Sequence, residues 1–314
     1  MKHLSVSILL CLTIVIAPGC HDFFGNAHPT ALPPQILPAV KNDLRMEPAN
    51  WWTGMLHNRV QILFHREGLA QFQVRLGESK GVTLEKTEKG DSPNYLFLTL
   101  LIARDAPPQK VPIHFTHPSS DVVFTQEFPL LARNPGPKAQ VVDSRDVIYL
   151  LFLARFANGD PSNDNVAGMQ QGLQRDALTG RHGGDLQGIL DHLDYIQDLG
   201  ITALWLNPEL ENDQADGSYH GYAITDLYRV DRRLGTNEQY RELVRQCHHR
   251  GIKVIRDVIP NHIGLGHYWM NDLPTRDWVN VWPVMTQTSY RAPTLVDPYA
   301  SESDKKRFND GWFV

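Results

Sequence analysis

The fold of this chain is decided by an apolar stretch at residues 252–262, which reads IKVIRDVIPNH. The run Ile252–Ile259 predicts a buried β-strand. Asp257 and His262 stand at and beyond the carboxyl end of that strand, where α/β folds place their functional groups. This stretch therefore combines a core strand with polar side chains in a position typical of a functional site.

Two more apolar runs and two amphipathic helices precede this strand. Val147–Phe156 and Ile201–Leu206 are predicted strands, and the first is apolar enough to be buried on both faces of a parallel sheet. Helical spacing of apolar residues predicts one helix over Leu186–Ile196, and a second helix begins at the capping box of Thr236 and Gln239. This alternation predicts a wound α/β unit, and periodicity alone leaves an open sheet and a barrel as alternatives.

Residues 48–137 show a different pattern, in which apolar and polar residues alternate. The alternating apolar positions are Val60, Ile62, Phe64, Phe72, Val74, Leu76, Val111, Ile113 and Phe115. A period of two predicts half-buried strands, and the glycine- and proline-rich breaks between them predict a small antiparallel β-sandwich. The predicted fold class is therefore α/β, with an N-terminal antiparallel β-sandwich followed, over residues 143–314, by parallel strands and helices.

The N-terminus carries an export signal. Residues 1–19 combine a basic start with an apolar run too short to span a bilayer, which predicts a signal peptide. Gly19 before Cys20 resembles a bacterial lipoprotein box and predicts lipidation of Cys20, with soluble periplasmic release as the alternative. Residues 20–47 are rich in proline and predict a tether. We therefore expect an exported bacterial protein, in the periplasm or on the outer membrane as a lipoprotein.

The charge of the chain and the position of Cys247 argue against two kinds of binding site. The formal net charge is -5 and there is no long basic run, so the sequence argues against nucleic-acid binding. Cys247 stands beside His248 and His249, which suggests a metal site, but it falls on the apolar face of the second predicted helix. We therefore expect Cys247 to be a buried small hydrophobic residue.

Two motifs, YHGYAITD at residues 219–226 and DVIPNH at residues 257–262, resemble signatures of the α-amylase family of glycoside hydrolases. WWTGM at residues 51–55 and NYLF at residues 94–97 are similar to the N-terminal domain of cyclomaltodextrinases and bacterial neopullulanases. The resemblance extends over the chain from residue 48 onward. It implies that the parallel part forms about three βα units at the start of a TIM barrel, which this chain leaves incomplete.

The resemblance also implies roles for four residues. Tyr222 would stack on a glucose unit, and His220 and His262 would donate hydrogen bonds to hydroxyls of that sugar. Asp257 would act as a supporting carboxylate that holds nearby side chains. Without the resemblance, a core aromatic residue and structural histidines are the simpler interpretation.

Residues 158–164, NGDPSND, place oxygen-bearing side chains close together, which suits a hard cation such as Ca²⁺. The sequence does not match an EF-hand, and a solvated Asx-turn loop is the alternative interpretation. In neopullulanases the corresponding loop binds calcium together with a later Gly-Gly-Asp. The resemblance therefore implies a structural calcium site formed by Asn158, Asp160, Asn163, Asp164, Gly183 and Asp185.

The implied reaction is hydrolysis of α-1,4-glucosidic bonds in maltodextrins, cyclodextrins or pullulan by a retaining mechanism, which makes an α-glucan the expected partner. In the family, the aspartate nucleophile and the glutamate acid lie on the fourth and fifth barrel strands, which this chain lacks. Glu209 and Glu211 are interpreted as loop carboxylates, and the chain itself is expected to be inactive. The alternatives are a calcium-stabilised glycan-binding protein and a truncated product without a function of its own.

Further expectations concern aromatic residues and assembly. Trp51 and Trp52 are predicted to pack the sandwich against the barrel segment, because they are too apolar to remain exposed. Trp278, Trp282 and Trp312 are expected to be partly buried rather than stacked on sugar. The resemblance also implies that the N-terminal domain can mediate homodimerisation.

Overall fold

The structure is a computed structural model and describes residues 44–119, 123–133, 141–280, 298–299 and 301–303. The predicted signal peptide, Cys20, most of the predicted tether, Trp282 and Trp312 lie outside the described residues. Within the described ranges, no helix is both long and apolar enough to cross a membrane.

Among the described residues, eight strands form two four-stranded sheets. In the first sheet, the strands lie in the order β1 (Arg45–Glu47), β3 (Arg59–His65), β6 (Tyr95–Ile102) and β5 (Val82–Lys89). In the second sheet, the order is β2 (Trp51–Trp52), β8 (Val123–Leu131), β7 (Gln109–Thr116) and β4 (Gln73–Leu76). Neighbouring strands are antiparallel, apart from the parallel pair β2 and β8. The predicted N-terminal β-sandwich is confirmed.

The sandwich core follows from the alternation of apolar residues. Ile62 and Phe64 of β3 are fully buried, and the Phe64 ring meets Phe115 of β7 edge to face, with centroids 5.3 Å apart. Residues 45–47 form β1 and pair with β3. The first sheet therefore takes up the last three residues of the range 20–47, which was predicted to be a tether.

The second half of the described chain is a three-stranded parallel sheet with helices packed against it. Its strands lie in the order β11 (Lys253–Arg256), β10 (Ala203–Leu206) and β9 (Ile148–Leu151). The helices are α1 (Leu153–Phe156), α2 (Leu186–Asp191), α3 (Leu193–Asp198) and α4 (Asn237–His249). Short 3₁₀ turns lie at Leu69–Gln71, Pro161–Asn163 and Tyr268–Met270. The predicted succession of parallel strands and helices is confirmed.

This sheet differs from the prediction in length and in exposure. β9 ends at Leu151 because the chain turns into α1 two residues later, so the strand predicted over residues 147–156 is too long. Ile148 and Leu150 are 47% and 51% exposed, so the predicted burial on both faces is wrong. The helices cover the face that carries Leu151, and the opposite face is open in the described part of the chain.

The helix predicted over residues 186–196 is interrupted at His192. The His192 ring donates from Nδ1 to the Gly188 carbonyl at 2.7 Å, and the His192 backbone N–H bonds to the Ile189 carbonyl, three residues back. The turn is therefore tighter than an α-helical turn. The chain resumes helical geometry as α3, one residue after the break.

Helix α4 begins where the sequence predicts. Thr236 and Gln239 exchange hydrogen bonds with each other's backbone and complete the capping box. Leu243 and Cys247 are fully buried on its inner face, which confirms the prediction for Cys247. Burial raises the pKa of the Cys247 thiol to about 11, so it stays protonated at neutral pH.

The sandwich contacts a segment that follows β11, residues 261–280, which we call the bridging segment. Its side chains Tyr268 and Trp269 pack against Tyr95 and Phe97 of the first sheet. The two halves of the described chain are therefore joined by a cluster of aromatic side chains.

This contact does not use Trp51 and Trp52, contrary to the prediction. Trp51 packs into the core of the sandwich itself, and Trp52 is 41% exposed. Trp278 is 38% exposed, so its predicted partial burial is not confirmed, although its ring centroid lies 5.5 Å from Trp269 and 5.9 Å from Phe97. The residues through which the sandwich contacts the rest of the chain are therefore those that the bridging segment reaches, and the apolar character of a tryptophan alone does not identify them.

Candidate active site

Two loops at the carboxyl ends of β10 and β11 meet and bring the predicted site residues together. Tyr222 lies on the long loop after β10, and Asp257 comes directly after β11. The Tyr222 hydroxyl donates to Asp257 Oδ2 at 2.9 Å. Burial and this hydrogen bond raise the pKa of Tyr222 to about 12, so the hydroxyl keeps its proton at neutral pH. The residue is still 39% exposed and can be reached by a ligand.

His220 lies beside Tyr222, with ring centroids 5.6 Å apart. Its Nδ1 accepts a hydrogen bond from the Tyr222 backbone N–H at 2.9 Å, so the neutral ring carries its proton on Nε2. Burial lowers the pKa of His220, and the nearby Arg181 and His262 lower it further. A neutral imidazole with a donor at Nε2 is therefore the form present near pH 7.

His262 completes the group from the start of the bridging segment. Its Nε2 donates to the Tyr222 carbonyl at 2.8 Å, and its Nδ1 accepts from the Asn261 side-chain amide at 3.1 Å. These two contacts select one tautomer of the ring. With Asp257 and His220, the structure thus gathers all the residues predicted for the sugar site around Tyr222.

Three further residues extend this group and escape prediction from the sequence. The Tyr219 ring centroid lies 5.3 Å from His220 and 5.9 Å from Phe152, which follows β9. The Arg155 guanidinium lies 4.8 Å from the Tyr219 ring. Their positions in the sequence could have identified two of them, since Tyr219 is the first residue of the YHGYAITD motif and Phe152 follows the end of a strand. The result is a row of four rings along the carboxyl edge of the sheet, from Phe152 to Tyr222.

Two glutamates near this edge are held by arginines. Glu209 is buried, with Arg256 Nε 2.7 Å from its Oε1. Burial raises the pKa of Glu209, and the charge of Arg256 opposes that rise. Glu211 is buried against Arg229 and Arg232, at 2.6 and 3.0 Å. Both carboxylates therefore form ion pairs within the fold.

The predicted calcium loop, residues 158–164, folds against the start of α2. Asp185 caps this helix, since its Oδ1 accepts from Gly188 N at 2.6 Å, and its Oδ2 accepts from Asp160 N at 2.8 Å. Asp160 in turn caps the 3₁₀ turn by accepting from Ser162 N at 3.0 Å. Backbone N–H groups thus satisfy part of the hydrogen-bonding capacity of these carboxylates.

Two amide oxygens of this loop, Asn158 Oδ1 and Asn163 Oδ1, are buried and have no hydrogen-bond partner among the residues that the structure describes. Such an acceptor is costly to bury, and a Ca²⁺ ion would use it as a ligand. Asn158 Nδ2 donates to Asp164 Oδ1 at 2.8 Å, which places a carboxylate beside these amides. Gly183, at φ 84°, allows this approach, because a Cβ would overlap Asp164 Oδ1.

The donor set is mixed. Within the described ranges, no three His, Cys, Asp or Glu side chains are arranged to hold a metal. A calcium ion would therefore need the two amide oxygens as well as the carboxylates. Since Ca²⁺ accepts amide and carboxylate oxygens alike, the residues present fit this ion.

Both halves of the chain match known protein families. The family described as Cyclomaltodextrinase, N-terminal, matches residues 45–134, and the family described as Alpha amylase, catalytic domain, matches residues 150–303. The first range contains the sandwich, and the second contains the parallel sheet and the group around Tyr222.

Individual proteins are similar to parts of this chain. A cyclomaltodextrinase from Thermoanaerobacter pseudethanolicus is 40% identical over 159 residues, covering 46% of this chain and 26% of that protein. Neopullulanase 2 from Thermoactinomyces vulgaris is 42% identical over 120 residues, covering 38% of this chain and 20% of that protein. A solved α-amylase structure from Anoxybacillus is 39% identical, covers 48% of this chain and 30% of that chain, and has a TM-score of 0.39.

The matches span only a part of each relative, 26% of the cyclomaltodextrinase and 20% of the neopullulanase. Within this chain, however, the two family matches follow each other and take in nearly all the described residues. The chain therefore belongs to the α-amylase family of glycoside hydrolases, with a cyclomaltodextrinase-type N-terminal domain followed by part of the catalytic domain.

Proposed function

We propose that this protein hydrolyses α-1,4-glucosidic bonds in maltodextrins, cyclodextrins or pullulan, with retention of configuration at the anomeric carbon. The observation that carries the proposal is the group of Tyr222, His220, His262 and Asp257 at the carboxyl edge of the parallel sheet. The names of the matched cyclomaltodextrinase and neopullulanase support the same class of substrate.

Tyr222 is suited to stack on a sugar, because the apolar face of a pyranose packs on an aromatic ring while its hydroxyls stay available. Asp257 fixes the hydroxyl end of that ring. His220 has its donor at Nε2, which can bond a sugar hydroxyl while Nδ1 keeps its bond to the Tyr222 backbone. His262 donates to the Tyr222 carbonyl, so bonding a sugar hydroxyl requires it to exchange that partner.

Retaining hydrolysis needs one carboxylate to attack the anomeric carbon and a carboxylic acid to protonate the leaving oxygen, about 5 Å apart. The carboxylates described at this edge are engaged elsewhere, Asp257 with Tyr222 and Glu209 with Arg256. We therefore assign Asp257 a supporting role. The nucleophile and the acid, on this proposal, come from strands of the catalytic domain that this chain does not cover.

Calcium enters the proposal as a structural ion in the loop after β9. Its oxygen ligands would come from Asn158, Asp160, Asn163, Asp164 and Asp185, with Gly183 leaving room beside them. A divalent cation offsets the mutual repulsion of three carboxylates and so fixes the loop. The residues of the loop take no part in bond breaking.

The location and the assembly of the protein are further parts of the proposal. Residues 1–19 and Cys20 support export to the bacterial periplasm, with the mature protein either free or anchored by a lipid. We also propose the N-terminal sandwich as a surface for homodimerisation.

Sugar binding is tested by isothermal titration of the 314-residue chain with maltoheptaose and β-cyclodextrin. Tyr222→Ala should lower the affinity about two- to tenfold, since a ring contact contributes ~0.5–1.5 kcal/mol. Tyr195→Ala is the matched control, because it removes a tyrosine that is 54% exposed on α3. Equal affinities for the wild type and Tyr222→Ala would reject the proposal.

A further inference from the structure

The loop that carries Tyr222 runs from Asn207 to Thr236, and neither helix nor strand occurs within it. A ring that stacks on sugar needs other groups to fix the backbone of such a loop. Gly221, just before Tyr222, has φ 90° and lies against the Pro208 carbonyl, where a Cβ would overlap the backbone. The end of β10 thus sets the path of the chain into Tyr222.

Asn212 supplies a second constraint from inside the loop. Its side chain is buried, and its Oδ1 accepts from Ala223 N at 2.6 Å. Its Nδ2 donates to Gly221 O and to Leu210 O, both at 2.9 Å. These bonds hold the residues on both sides of Tyr222. A single amide side chain therefore fixes the two peptide groups that orient the Tyr222 ring.

Buried charges hold Asn212 in turn. Arg181 and Arg233 donate to the backbone carbonyl oxygen of Asn212 at 3.2 and 2.9 Å. Asp231 Oδ2 accepts from the Asn212 backbone N–H at 3.1 Å. Asp231 also forms ion pairs with both arginines. Arg181, Asp231 and Arg233, which we call the arginine cluster, are all buried and together carry one positive charge in surplus.

We infer that Asn212 is a positioning residue of the sugar site, which acts through Tyr222 and not by contact with substrate. The Asn212 side chain is buried within the loop, whereas Tyr222 is 39% exposed. The inference rests on the proposed function of Tyr222. Loss of the Asn212 amide should release the backbone on both sides of Tyr222 and weaken glucan binding, although every group that contacts the sugar remains.

Asn212→Asp removes the donor half of this amide and keeps the acceptor half. The carboxylate still accepts from Ala223 N, but it no longer donates to Gly221 O and Leu210 O, and its second oxygen faces both carbonyl oxygens. The surplus positive charge of the arginine cluster offsets part of the cost of the buried negative charge, and a urea midpoint measured beside binding shows that the variant is folded. Its affinity for β-cyclodextrin should fall several-fold. Asn212→Ala, which loses all three side-chain bonds, should lose about tenfold.

The matched control is Asn237→Ala. Asn237, the first residue of α4, makes the same kind of bridge to the same loop, accepting from Val230 N at 2.8 Å and donating to Tyr228 O at 2.9 Å, but away from Tyr222. This variant should leave the β-cyclodextrin affinity of the 314-residue chain unchanged. A purely structural role for loop amides would make the two alanine variants behave alike.

A second measurement does not depend on sugar. Hydrogen exchange of residues 219–226, followed by mass spectrometry, should show the Ala223 amide exchanging about tenfold faster in Asn212→Ala and unchanged in Asn237→Ala. Unchanged Ala223 exchange in Asn212→Ala overturns the inference. So does wild-type affinity of both Asn212 variants when Tyr222→Ala binds weakly. If Tyr222→Ala binds as the wild type does, the proposed function fails, and the exchange result alone decides whether Asn212 fixes the loop.

Discussion

Asp272 accepts a hydrogen bond from His65 Nε2 at 3.0 Å, across 207 positions of the sequence. The same carboxylate accepts from Asn94 Nδ2 at 2.8 Å, and the Tyr95 hydroxyl donates to the Asp272 carbonyl at 2.5 Å. The His65, Asn94 and Tyr95 side chains all belong to the sandwich or its turns. Asp272 is therefore the polar centre of the contact between the sandwich and the bridging segment.

Replacing Asp272 by alanine should lower the free energy of unfolding by about 1–3 kcal/mol, because donors of His65 and Asn94 lose their acceptor. Urea unfolding of the 314-residue chain at pH 7 measures the change. Asp277→Ala, an exposed position in the same segment, serves as the control and should stay near the wild type. Equal midpoints for the two variants would mean that the polar contact adds nothing to stability.

Acid should weaken the bridging segment through His267. Burial lowers the pKa of His267 to about 4, and Arg45 lowers it further while Asp226 opposes. Because the folded pKa lies below the unfolded value of about 6.5, the neutral ring stabilises the fold above pH 6.5, and this contribution is lost as the pH falls toward 4. The loss amounts to about 3 kcal/mol when complete.

The test compares urea midpoints at pH 7 and pH 4.5. His267→Asn keeps an acceptor for the Trp269 N–H but cannot titrate, so its midpoint should fall less on acidification than that of the wild type. Glu47, whose pKa burial raises, acts in the opposite sense and is present in both proteins. His249→Asn, on the exposed end of α4, should behave as the wild type does. Parallel acid profiles for all three proteins would contradict the prediction.

Calcium should stabilise the loop after β9. An ion at 100 times its dissociation constant stabilises a fold by ~2.7 kcal/mol, so a chelator should lower the melting temperature. Asp160→Ala should remove the response. Asp176→Ala, an exposed carboxylate in the following loop, should retain it. If the wild type and Asp160→Ala respond alike to the chelator, calcium binds elsewhere or not at all.

The 314-residue chain should release no reducing sugar from pullulan or cyclodextrin, since its described carboxylates at the site edge are engaged and retaining hydrolysis needs two of them. It should also associate as its concentration rises, because Ile148 and Leu150 leave an apolar sheet face open. A chain extended through the remaining catalytic strands should be active. Sugar release by the 314-residue chain that Asp257→Ala abolishes would return Asp257 and Glu209 to consideration as catalytic groups.

The fold could be predicted from the sequence where the signal is local. Ile62 and Phe64 alternate with polar residues because one face of their strand is buried, and Thr236 marks a helix start because its side chain caps the backbone. The exposure of Ile148 and Leu150 could not be predicted. An apolar run shows that a strand favours burial, but it does not show which element covers each face.

The candidate site shows the same limit. Tyr222 and Asp257 could be expected together, because both follow neighbouring parallel strands at the same edge. The role of Asn212 could not be predicted in this way, since an asparagine in a loop is usually a turn residue and its hydrogen-bond partners are not evident from the sequence. The contact of Tyr268 with Tyr95 could not be predicted either, because a contact between a loop and a distant sheet produces no periodic pattern in the sequence.

The distance along the chain between the sandwich and its docking partner has a consequence for synthesis. Strand β8 completes the sandwich at Leu131, and Asp272 follows 141 residues later. At ~5–20 residues per second, the ribosome takes roughly 7–28 s to make that stretch, far longer than a small domain needs to fold. The sandwich is therefore ready before the bridging segment emerges, and His65, Asn94 and Tyr95 offer it a preformed surface on which to order.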